Sequence, residues 1–209
     1  MAVRAKNEPA GEMVLCVIRH GDAGDALALP QRDEVRRLTP KGRKQAKRAG
    51  KALRRLGLSP RDVWSSKLAR AVETADVAVV AAKSDAARVE TAALAPGADP
   101  ERIVRLLAET PPAPPKEPDD AEPPPPRTRR RGRGAAAEAG PVRWLVGHEP
   151  GLSRLVGYLV AGQPQGLEIK KGSIAVLGCG PGGPEAGGCR LVALLSPSAL
   201  RDLPRARHT

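Results

Sequence analysis

The apolar residues of this chain fall into short continuous runs and into helical repeats, separated by polar turns. The first run, residues 13–18, holds six apolar residues and is typical of a strand buried on both faces, as in a parallel sheet. It stops at Arg19 and His20, and Gly21 then lets the backbone turn sharply. Because open α/β sheets bind ligands beyond the carboxyl ends of their strands, this cation and imidazole predict an anion site.

The segment after this strand predicts a helix with a basic surface. Thr39 offers a hydroxyl cap, Pro40 suits the first helical position, and Gly57 ends the helix. Apolar residues at helical spacing leave the rest of the surface to cations: Lys41, Arg43, Lys44, Lys47, Arg48, Lys51, Arg54 and Arg55. Such a basic helix is either simply solvated or attracts an acidic partner protein.

A second short strand, residues 62–64, leads into a second candidate anion site. A stripe of apolar residues at helical spacing follows it: Leu68, Val72, Ala75 and Val79. This stripe predicts a helix that Ser66 caps and whose first turn carries Arg70 close to the strand end. A helix N-terminus beside an arginine is a favourable place for an anion, so Ser66 and Arg70 are predicted to bind one.

The next elements are shorter and carry less chemistry. Residues 88–95 predict a short strand, and Asp99 with Pro100 predicts the start of a brief helix. Near the end of the chain, residues 173–177 and 190–195 predict two strands around a Gly/Pro-rich turn. We expect these two strands to form a hairpin at the edge of the sheet.

A third strand end repeats the arrangement of the first. Residues 142–147 predict a strand that ends in His148, and Pro150 is predicted as the first residue of the following helix. The chain has three histidines, and two of them, His20 and His148, occupy this position. The third, His208, lies in the polar end of the chain and is given no role.

Length and composition predict one domain with an insertion. The 209 residues suit a single domain over residues 13–196, with a disordered segment at 1–12 and a tail at 197–209. Residues 111–140 combine acidic residues, four successive prolines and an arginine cluster, so they cannot bury enough apolar surface to offset ordering. They are predicted to be a disordered Pro/Arg-rich insertion, either a tether for polyanions or an acidic partner, or a tolerated surface loop.

The overall charge points to anionic partners. A net charge of +12 and a pI near 10.3 favour polyanions or phosphorylated proteins. No apolar signal region opens the chain and no stretch approaches the ~18 apolar residues of a membrane span, which predicts a cytoplasmic protein without membrane contact. The three cysteines, Cys16, Cys179 and Cys189, are expected to be reduced.

The predicted strand ends bring together two arginines and two histidines. Two histidines supply too few ligands for a metal, so we expect none. The same set suits a phosphoryl group, because arginine forks bind phosphate oxygens bidentately and an imidazole can attack phosphorus in line.

Three segments resemble the histidine phosphatase superfamily: residues 17–23 (VIRHGDA), 64–75 (WSSKLARAVETA) and 146–150 (VGHEP). The Arg-His-Gly-Asp-Ala form, the small size and residues 94–97 resemble its SixA-type phosphohistidine phosphatases. The resemblance implies a three-layer α/β/α sandwich with a mainly parallel sheet and an antiparallel edge. It also implies that His20 is the nucleophile, that Arg19 and Arg70 clamp the phosphate with His148 as a further ligand, and that no cofactor is needed. Gly21 and Ser66 complete the predicted phosphate site.

One departure from the wider superfamily concerns the proton donor. The mutase and acid phosphatase branches place a carboxylate between the second and third motifs, where this chain offers only Glu90 and Asp99. Asp22 and Glu149 adjoin the motif histidines, but the sequence does not show where their side chains point.

The preferred hypothesis is therefore a phosphatase that takes phosphate from phosphohistidine of a partner protein, such as a histidine-phosphorelay protein, through a phosphohistidine on His20. An alternative is a small-molecule phosphomonoesterase or pyrophosphatase acting on sugar phosphates or nucleotides. A further alternative is a polyanion-binding module with an inert strand-end site.

Overall fold

A computed structural model of the 209-residue chain describes residues 12–112, 140–165, 167–180 and 182–202. The predictions of disorder in the N-terminal segment and in the insertion fall almost entirely outside the described residues. No helix within the described ranges is long and apolar enough to cross a membrane.

Six strands form a single sheet in the order β3-β2-β4-β1-β5-β6. Their bounds are β1 Met13–Arg19, β2 Asp62–Ser65, β3 Ala87–Glu90, β4 Val142–Gly147, β5 Ile174–Cys179 and β6 Cys189–Leu195. The first four strands of that order pair in parallel, whereas β5 runs antiparallel to both β1 and β6. The predicted mainly parallel sheet with an antiparallel hairpin at its edge is confirmed.

Helices cover both faces of this sheet. They are α1 Pro30–Glu34, α2 Pro40–Arg55, α3 Ala69–Ala82, α4 Pro100–Glu109, α5 Gly151–Ala161 and α6 Ala199–Asp202. One apolar core joins the sheet to α2, α3 and α6, and a second core joins the opposite face to α4 and α5. The architecture is therefore the predicted three-layer α/β/α sandwich.

Strand β1 shows why its sequence is continuously apolar. Leu15 and Val17 point into the core under α4 and α5, while Cys16 and Ile18 point into the core under α2 and α3. Because helices cover both faces, a central strand has no polar side to present, and all four side chains are fully buried.

Two helix starts differ from their predictions. Ser66 does not cap α3: its Oγ accepts a hydrogen bond from Leu68 N–H at 3.3 Å, and the helix begins only at Ala69 with Leu68 at the cap. Pro150 is the cap of α5, after a cis peptide bond to Glu149, rather than its first residue. By contrast, Thr39 caps α2 as predicted, since its Oγ1 accepts from Gly42 N–H at 3.1 Å.

Two other boundaries also shift. The strand predicted at 88–95 is shorter, because Thr91 accepts a hydrogen bond from Ala93 N–H and starts a 3-10 turn at Ala92–Leu94. At the other end of the chain, Leu200 of α6 is buried in the α2–α3 core. The folded domain thus extends to at least Asp202, beyond the predicted boundary at 196.

A buried ion pair links two neighbouring strands at the amino ends of the parallel set. Asp62 on β2 and Arg143 on β4 lie side by side in register. Arg143 donates from Nε and Nη2 to the two carboxylate oxygens at 2.6 and 2.7 Å, and from Nη1 to the Thr110 carbonyl at 2.9 Å. Its guanidinium also lies 4.3 Å from the ring centroid of Trp64. This polar cluster occupies the edge of the sheet opposite the predicted site.

Candidate active site

Two histidines meet at the carboxyl edge of the sheet. His20 follows β1 and His148 follows β4, and these strands are parallel neighbours in register from Val14↔Val142 to Arg19↔Gly147. His20 N–H donates to the Gly147 carbonyl at 3.1 Å, which fixes the first histidine against the end of the second strand. The ring centroids lie 4.9 Å apart with an interplanar angle of 49°, and both side chains are buried.

A single hydrogen bond determines the tautomer of His20. Its Nδ1 lies 2.7 Å from the carbonyl oxygen of Gly21. Because a carbonyl only accepts, Nδ1 carries the hydrogen and the lone pair of the neutral ring is on Nε2. Burial, together with the positive charges of Arg70 and Arg19, lowers the pKa of His20 to about 4. The ring is therefore neutral at physiological pH, with Nε2 free to act as a nucleophile.

His148 is a buried polar group without a partner. Neither Nδ1 nor Nε2 forms a hydrogen bond within the described part of the chain. Burial, with His20, Arg70 and Arg19 as neighbours, lowers the pKa of His148 to about 3. Leaving a buried ring nitrogen unpaired costs free energy, so the arrangement favours a bound ligand that completes its hydrogen bonds.

Two arginines provide positive charge at the same place. Arg19 donates from Nη1 to the Ile169 carbonyl at 2.7 Å, and Arg70 donates from Nη1 to the backbone carbonyl of Asp33 at 2.8 Å. The Nε of each arginine is buried and has no hydrogen-bond partner among the described residues. Each guanidinium is thus fixed on one side by the protein and retains donors for an anion.

Carboxylates near these groups are ionised and hold the cations in place. Asp33 lies 3.1 Å from Nη1 of Arg70, and the hydrogen bond from Arg36 is the main cause that lowers the pKa of Asp33 to about 2. The hydrogen bond from Thr39 Oγ1 keeps the pKa of Asp22 below its usual range. Neither carboxyl carries a proton at neutral pH, so neither can serve as a general acid.

The loop that follows His20 is held by two side chains. Gly21 N–H donates to Thr74 Oγ1 at 3.0 Å, and Asp22 N–H donates to Gln45 Oε1 at 2.7 Å. A Cβ on Gly21 would lie 2.6 Å from the backbone oxygen of Gly42 in α2, so the glycine is required by this close approach. Its amide hydrogen is donated to Thr74, and the predicted part of Gly21 in the phosphate site stays a prediction.

Ser66 and Lys171 also lie near this edge. Ser66 is buried beside the end of β2, and its predicted contact with phosphate stays a prediction. Lys171 was not predicted; its charge lowers the pKa of His20, and its Nζ lies 3.5 Å from Asp22 Oδ1. It lies in a turn with Gly172, which adopts φ +77° and donates its N–H to the carbonyls of Arg19 and His20.

The two predicted candidate acids, Glu90 and Asp99, are engaged elsewhere, whereas Glu149 is only partly engaged. Glu90 is exposed and accepts from Arg88 at 2.7 Å, and the exposed Asp99 accepts from Glu101 N–H at the start of α4. Glu149 accepts from the Ser153 hydroxyl through Oε2, while its Oε1 is buried without a hydrogen-bond partner in the described residues. Within those residues, no three His, Cys, Asp or Glu side chains form a group that could hold a metal ion.

The architecture is similar to solved structures with different substrates. The protein histidine phosphatase SixA, complexed with tungstate, covers 90% of this chain and 99% of its own at 20% identity and a TM-score of 0.66. The phosphoglycerate mutase of Bacillus anthracis covers 92% and 96% at 14% identity and a TM-score of 0.56. At these identities the likeness establishes the fold alone.

Sequence comparison gives a more local result. The mitochondrial serine/threonine-protein phosphatase Pgam5 of Drosophila pseudoobscura pseudoobscura is 36% identical over 104 residues, which is 48% of this chain and 31% of that protein. The chain thus matches about a third of the length of this relative. The sequence pattern of the histidine phosphatase superfamily (branch 1) matches residues 15–94, which include Arg19, His20 and Arg70. Residues 15–94 therefore match the histidine phosphatase superfamily (branch 1), and the sheet places His148 beside the His20 of that segment.

Proposed function

We propose that the protein is a phosphatase that removes phosphate from phosphohistidine of a partner protein through a covalent phosphohistidine on His20. The observation that carries the proposal is the state of His20: neutral, with Nδ1–H bound to the Gly21 carbonyl and Nε2 left as the nucleophile. The unpaired donors of Arg19, Arg70 and His148 are the groups that would receive the phosphate oxygens.

The reaction divides into two displacements at phosphorus. In the first, Nε2 of His20 forms a bond to phosphorus as the bond to the leaving group breaks. In the second, the oxygen of a water molecule bonds to phosphorus, the phosphorus–nitrogen bond breaks with its electron pair returning to Nε2 of His20, and the proton of the water passes to a phosphate oxygen and then to solvent. Guanidinium groups fixed in advance stabilise the charge on the transferring phosphoryl group in both steps.

The choice of phosphohistidine rests on the leaving group. Expelling an alkoxide produces an anion about as basic as hydroxide, so a positioned acid contributes typically ~10² to 10⁴ in rate. Asp22 and Asp33, which lie against the His20 loop and Arg70, are ionised and cannot supply that proton. An imidazole leaves as a neutral ring when its other nitrogen is already protonated, so phosphohistidine needs no such acid.

The comparisons support a protein substrate. The similar structure with the higher TM-score is a protein histidine phosphatase, and the curated relative is a serine/threonine-protein phosphatase. The mutase of the same fold keeps a small phosphorylated molecule as the alternative substrate. The cytoplasmic location and the absence of a cofactor stay predictions.

Trapping the intermediate tests the chemistry. Rapid acid-free quenching of the enzyme with labelled substrate is expected to yield an acid-labile, base-stable phosphate on the protein. His20→Ala is expected to lose both this phosphate and turnover, whereas His208→Ala, the control at the remaining histidine, should behave as wild type. Normal turnover by His20→Ala would refute the covalent mechanism.

A substrate panel tests the leaving-group argument. We expect a phosphohistidine peptide to be hydrolysed far faster than a phosphoserine peptide of the same sequence or a sugar phosphate. Glu90→Gln and Asp99→Asn should leave this activity within a few-fold, because phosphohistidine needs no acid. Efficient hydrolysis of alkyl phosphates that collapses in Glu90→Gln would instead identify a general acid and favour a small-molecule substrate.

A further inference from the structure

A cationic groove lies between α2 and the turn that leads into α6. Its volume is about 380 Å³, and the charged side chains that line it are Lys41, Lys44, Arg48 and Arg201. All four are exposed, and no carboxylate lines the groove. Gln45 and the 197–198 turn complete the lining.

The sequence of α2 explains why these cations share one side. Lys41, Lys44 and Arg48 are spaced three and then four residues apart, so they form one stripe along the helix. Leu200 anchors α6 in the core that α2 also joins, which places the neighbouring Arg201 across from this stripe.

The charge of the groove is not neutralised by the fold. Lys44, Arg48 and Arg201 form no ion pair with any residue that the structure describes, whereas Arg43, on another side of the same helix, pairs with Glu73. These three unpaired cations, together with Lys41, whose charge also acts on the Asp22 carboxylate, make the concave surface attractive to an anionic ligand.

Gln45 connects the groove to the active-site loop. The same side chain that lines the groove accepts the Asp22 N–H at 2.7 Å and donates to the Lys171 carbonyl at 3.2 Å. Asp22 is two residues from His20. A ligand in the groove therefore lies beside the segment that carries the nucleophile.

We propose that this groove docks an acidic segment of the phosphorylated protein whose phosphohistidine reaches His20, an inference that rests on the proposed function. An acidic peptide fits better than a nucleic acid. Bases bind non-specifically by stacking on aromatic side chains, and no aromatic residue lines the groove. The whole chain holds no Phe, one Tyr and two Trp, and both tryptophans are buried in the core.

Paired peptides and paired variants test the proposal. Two phosphohistidine peptides differ only in a flanking run of glutamates or of glutamines. The groove variant Lys44→Glu/Arg48→Glu is compared with Lys47→Glu/Lys51→Glu, which makes the same charge change at exposed positions of the same helix that do not line the groove. Phosphoramidate, a small phosphorus–nitrogen substrate, reports the chemistry without docking.

We expect wild type to prefer the glutamate peptide by at least about tenfold in kcat/KM at low salt, with a preference that shrinks as salt rises. The groove variant should lose this preference and retain phosphoramidate turnover, and the control variant should keep both. Equal loss in both variants would attribute the preference to general surface charge and overturn the proposal, as would a preference that survives in the groove variant.

Binding separates this proposal from the proposed function. An unphosphorylated fluorescent glutamate peptide should bind wild type and the control variant, but not the groove variant, whether or not the enzyme hydrolyses phosphohistidine. Failure of hydrolysis with intact binding would refute the proposed function alone. Failure of wild type to bind would refute the groove, and tighter binding of an RNA oligonucleotide that depends on Lys44 and Arg48 would overturn the protein occupant.

Discussion

At the residue scale, the chemistry of the site depends on two imidazoles that the protein keeps neutral. The hydrogen bond to the Gly21 carbonyl orients His20, and burial beside Arg19 and Arg70 disfavours its protonated form. His148 is held neutral by burial and by the same neighbours. A bound phosphate would reverse part of this electrostatic penalty, because an anion favours protonated donors.

The neutral histidines predict how stability depends on pH. The pKa values of His20 and His148 in the folded protein, about 4 and about 3, lie below about 6.5 for an unfolded histidine. The unfolded chain therefore takes up protons first, so the histidines' contribution is complete above about pH 6.5 and is lost as the pH falls towards these folded values.

Urea unfolding at a series of pH values is expected to show this loss between about pH 6.5 and 4, and His148→Asn should reduce the slope. The lowered pKa values of Asp22 and Asp33 change the free energy of unfolding only at a pH low enough for an ordinary aspartate to take up a proton. They therefore do not explain a change at pH 5 to 6. A free energy of unfolding that is constant between about pH 7 and 5 would contradict the assigned neutral state.

A second residue-scale prediction concerns Arg70. Arg70→Lys keeps the positive charge but loses the planar set of donors that binds Asp33 and that, in the proposed function, also binds the phosphate. We expect kcat/KM to fall at least about tenfold, measured with the phosphohistidine peptide. Arg88→Lys, which alters an arginine paired with Asp76 and Glu90, is the control and should leave turnover unchanged. An unchanged Arg70→Lys enzyme would remove Arg70 from the phosphate clamp.

At the element scale, the start of α2 lies directly against the active-site loop. A Cβ on Gly42 would lie 2.0 Å from the backbone oxygen of Asp22, so this helix approaches the loop as closely as a glycine allows. Thr39 fixes the same junction: it caps the helix, and its hydroxyl donates to the Asp22 carboxylate at 2.8 Å. The position of the loop is thus set by the first turn of one helix.

Gly42→Ala tests this junction. Alanine gains about 1 kcal/mol of helix propensity over glycine, but the clash is with backbone that cannot rotate away. We expect a net loss of about 1–3 kcal/mol in the free energy of unfolding and lower kcat, measured by urea unfolding and peptide turnover. Gly180→Ala, at a site with open space around the added Cβ, should change neither. Greater stability of Gly42→Ala would show that the loop can move away.

Local sequence signals predicted most elements but not every start. Thr39 and Pro40 predict the cap and the first residue of α2 correctly, because both are set by neighbouring residues. Ser66 carries a similar signal, yet its hydroxyl bonds Leu68 two residues on, and α3 starts later. A serine that precedes a helical stripe can cap the helix or accept a hydrogen bond from the residue two positions on. Only the path of the chain after β2 decides between these two arrangements.

At the scale of the whole molecule, the candidate active site and a buried ion pair lie at opposite ends of the parallel strands. The histidines lie beyond the carboxyl ends of β1 and β4, while the Asp62–Arg143 pair is buried at the amino ends of β2 and β4. Arg143 is held by Asp62, by the Thr110 carbonyl and by the face of Trp64. Substitutions at the amino ends of the strands should therefore leave the geometry of the site at the carboxyl ends largely unaffected.

Arg143→Met tests this separation. A methionine at this position could not donate the two hydrogen bonds that Arg143 gives to the buried Asp62 carboxylate, and breaking a buried ion pair typically costs about 3–5 kcal/mol. We expect a loss of this size in the free energy of unfolding. The kcat of the protein that remains folded should equal that of wild type, because the site lies at the other end of the strands. A large fall in kcat without destabilisation would contradict the separation.

The sequence predicts which residues end the strands, but it does not predict which side chains from other elements pack against those strand ends. His20, Arg19 and His148 follow apolar runs and could be placed at one edge of a parallel sheet. Asp33 and Lys171 reach that edge from a short helix and from a turn with no apolar periodicity of their own. Their roles depend on tertiary contacts that link positions far apart in the chain, so no local pattern indicates them.

The place of β4 in the sheet also has a consequence for how the protein is made. In the order of strands, β4 lies between β2 and β1, although it follows both by many residues in the chain. In a nascent chain that ends before Val142, no strand bridges β1 and β2. The edges of β1 and β2 that pair with β4 in the folded protein are then open, and His148 is absent. Such contacts between distant segments slow folding and expose strand edges meanwhile. Insertion of β4 thus joins β1 to β2 and completes the pair of histidines in one event, before β5 and β6 are added beside β1, and no chain that ends before His148 carries both histidines.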